Sequence, residues 1–171
     1  LSQGGHTVLG SLEVANTYPA AGPIKGAAVY APLWFSQRAW GLVLHPTLSG
    51  LYPMTNATGS SVSIWYHYTH AEILDGPGEG LKLFKPELQD QIQQFIDTMC
   101  WSDKYQSLLD TGVENIRDLY DPAFADAAST GALNKSCDKA VDVALCQKWL
   151  DRYQGDRPVL TGAAATIPLL L

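Results

Sequence analysis

Ser2 is the residue whose type and neighbours point most directly to chemistry, in the opening run Leu1-Ser2-Gln3-Gly4-Gly5-His6. A serine hydroxyl is a poor nucleophile at neutral pH and needs an imidazole base oriented by a carboxylate. In the pattern Gly-x-Ser-x-Gly, a strand ends in a sharp turn, a helix begins, and the serine at the apex presents its hydroxyl to the site. Flanking glycines keep that bend free of side chains. Ser2 takes the nucleophile position and Gly4 that of the downstream glycine, while the upstream glycine would fall before Leu1. The start of the following helix would add backbone N–H groups and a positive dipole end that favour a developing oxyanion. The expectation is a piece of a serine hydrolase that starts one residue inside its own motif.

Other groups able to do chemistry have plainer readings. His6 lies one helical turn after Ser2, but a base on the nucleophile's own helix points along that helix. Packing behind the turn is the expected role. His67 and His70 stand three apart with Glu72 and Asp75 nearby, which would be half of a zinc site. A third ligand is not visible, so no metal and no cofactor are expected. Trp34, Phe35, Trp40, Trp65 and Tyr66 either line an acyl or aromatic substrate pocket or form the core of their own helices. His45, before Pro46, reads as a loop residue. Asp97, Asp110, Asp118, Asp121 and Asp126 read as solvated faces and caps. The run Gly76-Pro77-Gly78-Glu79-Gly80 lacks the Lys-Ser/Thr of a phosphate-binding loop and reads as a turn.

Composition sets the frame for these residues. The chain has 171 residues, 46% of them hydrophobic, which suits one domain or most of one. A formal net charge of -6, with no Lys/Arg cluster, argues against a nucleic-acid partner. No apolar run approaches a membrane span. Three cysteines, Cys100, Cys137 and Cys146, permit one disulfide and one thiol, and all three pairings stay open. Asn56-Ala57-Thr58 and Asn134-Lys135-Ser136 have the form of glycosylation sequons. A secreted or extracytoplasmic protein is expected.

The elements that must position Ser2 follow from periodicity. A sparsely charged helix is predicted over 3–18, with Val8, Leu12 and Ala15 on one face. A short buried strand follows over 24–31, stopped by Pro32. Helices are expected over 35–44, 60–74, 86–100, 104–110, 122–129 and 138–152, with a loop over 47–59. The clearest is 86–100, where Leu88, Ile92, Phe95 and Met99 form a stripe behind Pro86. The apolar run 167–171 reads as a second buried strand.

Ser-Gln-Gly-Gly-His, the helix behind it, and Lys25-Gly26-Ala27-Ala28-Val29-Tyr30-Ala31-Pro32 resemble the α/β-hydrolase superfamily, in its secreted lipase/esterase-like branch with a helical cap. The resemblance implies an α/β fold with partial hydrolase core over 1–34, a helical cap over 35–157, and a return to the core over 158–171. It implies hydrolysis of carboxylic esters, small-molecule or lipid, through an acyl-serine intermediate, with Ser2 as nucleophile and the backbone N–H of Gln3 in the oxyanion hole. The triad acid and histidine would follow residue 171, and the rest of the parent hydrolase would complete the sheet. The alternatives are a peptidase or amidase of the same fold, a relative that has lost its base, and a non-catalytic helical binding domain.

Overall fold

The computed structural model describes residues 3–15, 17–18, 22–30, 38–51, 57–98, 112–156 and 158–170. They form α1 (Gln3–Val14), β1 (Ala27–Ala28), α2 (Arg38–Leu42), α3 (Ala57–Leu74), α4 (Gln89–Asp97), α5 (Pro122–Asn134), α6 (Val143–Gly155) and β2 (Leu169–Leu170). Short 3₁₀ turns lie between them, at Leu81–Leu83, Pro86–Leu88, Ile116–Leu119 and Gly162–Thr166 among others. By contact the chain divides into two compact units, Leu1–Gln37 with Gln154–Leu171, and Arg38–Tyr153.

The α/β fold expected from the sequence is not what forms. The described chain is mostly helical, and its sheet is a single parallel pair, Ala27 opposite Leu169 and Ala28 opposite Leu170. Two causes are local. Alanine has little strand preference, so Ala27-Ala28 is a weak nucleus. Pro168 has no N–H and lends the ladder only its carbonyl, which accepts from the Ala27 N–H at 3.0 Å. The segments are not buried either. Ile24 is 38% exposed and Leu170 61%, and Val29 alone among the described residues of 24–31 is buried. A hydrolase sheet is covered on both faces, which these residues are not. In the same unit, Leu9 and Leu12 of α1 are buried, as is Ala164 in the Gly162–Thr166 turn.

Unit Arg38–Tyr153 holds the main core. From α3 it takes Ile64, Tyr68 and Ala71; from α4, Ile92 and Phe95; from α5, Phe124, Ala125, Ala128 and Ala132; and from α6, Trp149 and Tyr153. Helix α3 starts within the predicted loop 47–59, and α5 runs past 129 through Gly131 to Asn134. Helix α6 begins at Val143 rather than 138, because residues 137–142 carry a disulfide turn instead. Helix α1 stops at Val14, four residues short of the prediction. Helix α4 begins after a 3₁₀ turn at Pro86–Leu88, and residues 99–100 and 104–110 lie outside the described residues.

Three local devices fix these helices. Asp121 caps α5: its Oδ1 accepts from the Ala123 and Phe124 N–H groups at 2.9 and 3.1 Å, and Pro122 fills the first turn. Phe84 and Tyr120 form an antiparallel bridge and stack their rings 4.6 Å apart. Glu72 holds the glycine turn after α3, its two carboxylate oxygens accepting from the Gly78 and Gly80 N–H groups at 2.8 Å each. Gly76 and Gly78 adopt φ of 121° and 85°, which only glycine takes readily.

Helices α2 and α5 pack closely because Gly41 has no side chain. A Cβ there would stand 2.7 Å from Ala132 Cβ, 2.7 Å from Tyr153 Cε2 and 3.0 Å from the Ala128 carbonyl. Beside α5, Cys137 and Cys146 form a disulfide with Cα atoms 5.8 Å apart, buried with Ala127 and Leu150. Of the three pairings open in the sequence, this is the shortest closure; Cys100 lies outside the described residues.

Candidate functional site

Gln3 is the first described residue of α1, which runs to Val14. Ser2 itself, with Trp34 and Phe35, lies outside the described residues. Gly5 is buried, whereas Gly4 is exposed, and a methyl added there would meet no atom of the described residues within 4 Å. His6 is half-buried on the same helix.

The remaining expected pocket residues sit in the helical unit, where two of them bring their rings together. Trp40 and Tyr66 have ring centroids 6.3 Å apart. Tyr66 also lies 4.0 Å from the His70 ring and 6.0 Å from that of Tyr153. Trp65, on the next position of α3, turns to Phe95 instead, stacked at 5.9 Å. All three are partly buried and packed against the core. A cleft of 380 Å³ does occur, but it is lined by Ala15, Ile24, Lys25, Ala163, Thr166 and Ile167 among others. It stands at the amino ends of β1 and β2, and ligands of parallel strands bind at the carboxyl ends.

The densest polar arrangement was not singled out as such from sequence. His67 is fully buried in α3, ringed by Tyr66, Tyr120, Phe124, Trp149 and Tyr153. Its Nδ1 lies 2.9 Å from the Ser63 carbonyl and 3.0 Å from the Tyr120 hydroxyl, and its Nε2 2.8 Å from the Tyr153 hydroxyl. A carbonyl only accepts, so Nδ1 carries the proton and Nε2 accepts from Tyr153. Burial without a counter-charge pushes the imidazole pKa down to about 3. The same burial raises the phenols of Tyr120 and Tyr153.

This geometry answers the zinc reading. Both ring nitrogens of His67 are engaged and sealed from solvent, and His70 donates from Nδ1 to the Tyr66 carbonyl at 2.7 Å. No group of three His, Cys, Asp or Glu residues able to hold a metal occurs among the described residues. The carbonyl under the imidazole is the backbone carbonyl of Ser63, one helical turn before His67, which a residue of any type there would supply.

The scattered acids do as expected. Asp121 caps α5, Asp126 pairs with Arg117, and Asp97 accepts from Gln93 at 2.6 Å. His45 Nδ1 accepts from the Thr47 N–H at 3.2 Å within a turn. Asp110 lies outside the described residues. No helix of the described residues is long and apolar enough to cross a membrane.

No protein-family model, no curated protein and no solved structure matches this chain.

Proposed function

We propose that this chain carries the nucleophile of a serine hydrolase that cleaves carboxylic esters, with Ser2 attacking the ester carbonyl and Gln3 supplying an oxyanion donor. The observation that carries the reading is helix α1, Gln3–Val14, which follows Ser2 in the run Ser-Gln-Gly-Gly-His. A nucleophile ahead of a helix has that helix's first backbone N–H groups and the positive end of its dipole available to a developing oxyanion. The acyl-serine forms as Oγ bonds to the carbonyl carbon and the alkoxide leaves with the serine's proton; water then releases the acid. The base is not His67, whose lone pair on Nε2 is occupied by Tyr153. The disulfide supports secretion, since such bonds persist in oxidising compartments.

A second reading is favoured by one specific observation. Trp40, Trp65 and Tyr66 are packed against a helical core rather than around a described cavity, as in a non-catalytic helical binding domain. The experiment that separates the two is labelling of the full-length folded protein with a fluorophosphonate ester. The hydrolase reading expects the adduct on the peptide containing Ser2 and its loss in Ser2→Ala. A folded protein that takes no label leaves the binding-domain reading standing and sinks the first.

A further inference from the structure

We propose that Asn134 is an acceptor for an N-linked oligosaccharide. Asn134, Lys135 and Ser136 form an Asn-x-Ser sequon in which the middle residue is not proline. The structure puts Asn134 at the last position of α5 and exposed to solvent, with Lys135 exposed and in the left-handed conformation at φ 56°. The chain therefore turns at the sequon, where Asn134 and Lys135 are both exposed. That is where a bulky hydrophilic glycan is tolerated.

The hydrogen bonds around the carboxamide are compatible with the product. Asn134 Nδ2 donates to the Thr130 carbonyl at 3.1 Å, and a carboxamide nitrogen has two hydrogens. Glycosylation replaces one and leaves the other for Thr130. The donor is a lipid-linked oligosaccharide diphosphate. The Asn134 nitrogen bonds to the anomeric carbon, the bond from that carbon to the diphosphate oxygen breaks, and the displaced proton goes to a transferase base.

Two further observations fix compartment and timing. The Cys137–Cys146 disulfide begins one residue beyond the sequon, so this segment matures where disulfides form, which in eukaryotes is also where the oligosaccharide is added. In the folded chain the Ser136 hydroxyl is already committed. It donates to Asp138 Oδ2 at 2.7 Å and accepts from the Asp138 N–H at 3.1 Å. Transfer that needs this hydroxyl must precede closure of the 136–138 turn and of the disulfide. The inference stands apart from the Ser2 reading and survives its failure.

The test expresses the full-length protein in a glycosylating eukaryotic secretory host and treats it with peptide-N-glycosidase in heavy-oxygen water. The expected result is heavy-oxygen incorporation at the Asn134 carboxamide carbon and a gain in electrophoretic mobility. The label at Asn134 is lost in Asn134→Gln and Ser136→Ala and kept in Ser136→Thr, and the mobility gain falls by one oligosaccharide in the first two, whatever Asn56 carries. Because transfer precedes folding, microsomal fractions report occupancy even for a variant that is not secreted. An Asn134 peptide that is wholly unmodified in wild-type microsomes and in the secreted protein overturns the proposal.

Discussion

The Tyr153 hydroxyl donates to Nε2 of His67 across 2.8 Å, joining α6 to α3 in the centre of the helical unit where neither residue meets solvent. This bond exists only while the imidazole is neutral. Protonating Nε2 would put two donors face to face inside an aromatic cage. Folded His67 holds out against protonation down to about pH 3, whereas the unfolded residue takes up a proton near 6.5. Below 6.5 the unfolded chain therefore binds more protons, and stability falls as pH falls, by up to about 1.4 kcal/mol per unit. Above 6.5 the residue is neutral in both states and contributes no slope. We predict that urea midpoints drop between pH 7 and 5, before most carboxylates titrate, and that His67→Asn flattens this range. A wild-type midpoint that stays constant there would show His67 to be accessible. Tyr153→Phe leaves Nε2 without its donor and should cost about 1–3 kcal/mol.

Gly41 is a packing residue, and the smallest change tests it. Gly41→Ala would normally help a helix, but here its methyl has no room against Ala132, Tyr153 and the Ala128 carbonyl. The backbone oxygen cannot swing aside as a side chain does. We expect a net loss of about 1–3 kcal/mol in thermal or urea unfolding. A neutral or stabilised variant would mean that α2 does not sit against α5 as described.

Asp75 anchors the C-terminal end of α3 to α6. It accepts from Arg152 at 2.6 and 3.0 Å and from Lys148 at 3.2 Å, and the guanidinium lies 4.7 Å above the Trp149 ring. The Arg152 hydrogen bonds hold the carboxyl below its ordinary value of 3.8. This stabilisation is present above that value and is lost as pH falls through the lowered one. Asp75→Asn should cost about 1 kcal/mol, less at high salt because the group is partly screened. Arg152→Lys should recover only part of the pairing, since an ammonium can neither fork nor lie flat on indole. Equal stability of the lysine variant and wild type would argue against the bidentate geometry.

Reduction of the Cys137–Cys146 disulfide should lower stability by about 2–3 kcal/mol, the loop-entropy effect of a closure this short. The comparison is calorimetry with and without reductant, with Cys137→Ala/Cys146→Ala as the control that should not respond. An unchanged melting temperature on reduction would place the cost elsewhere.

How much of this was legible varies with the chemistry of each segment. Helix α4 announced itself because Leu88, Ile92 and Phe95 are apolar and correctly spaced, and all three are buried. The buried face of α3 is written partly in Ser60, Ser61, Ser63 and His67, so apolar periodicity hides it. Its helix was legible from length and its core face was not. The sheet was over-read at both ends, since Ile24 and Leu170 are apolar types that the structure leaves exposed. The turn at 76–80 was plain from its glycines, but the carboxylate that ties it, Glu72, is recognisable only in three dimensions. Of the candidate site, the helix that follows Ser2 in sequence was anticipated, whereas the parting of Trp65 from Tyr66 needed rotamers that no spacing rule supplies.

The pairing of Ala27 with Leu169 brings together residues separated by most of the chain. Closing so long a loop is entropically expensive, and a ladder of two residue pairs offers little in return. Contacts within the helices are near neighbours in sequence and carry no such burden. The strands should therefore zip last, on a chain whose intervening segment has already condensed. Pulse-labelled amide exchange would see protons of α3 protected before those of Ala27 and Val29; the reverse order would make the strands the nucleus.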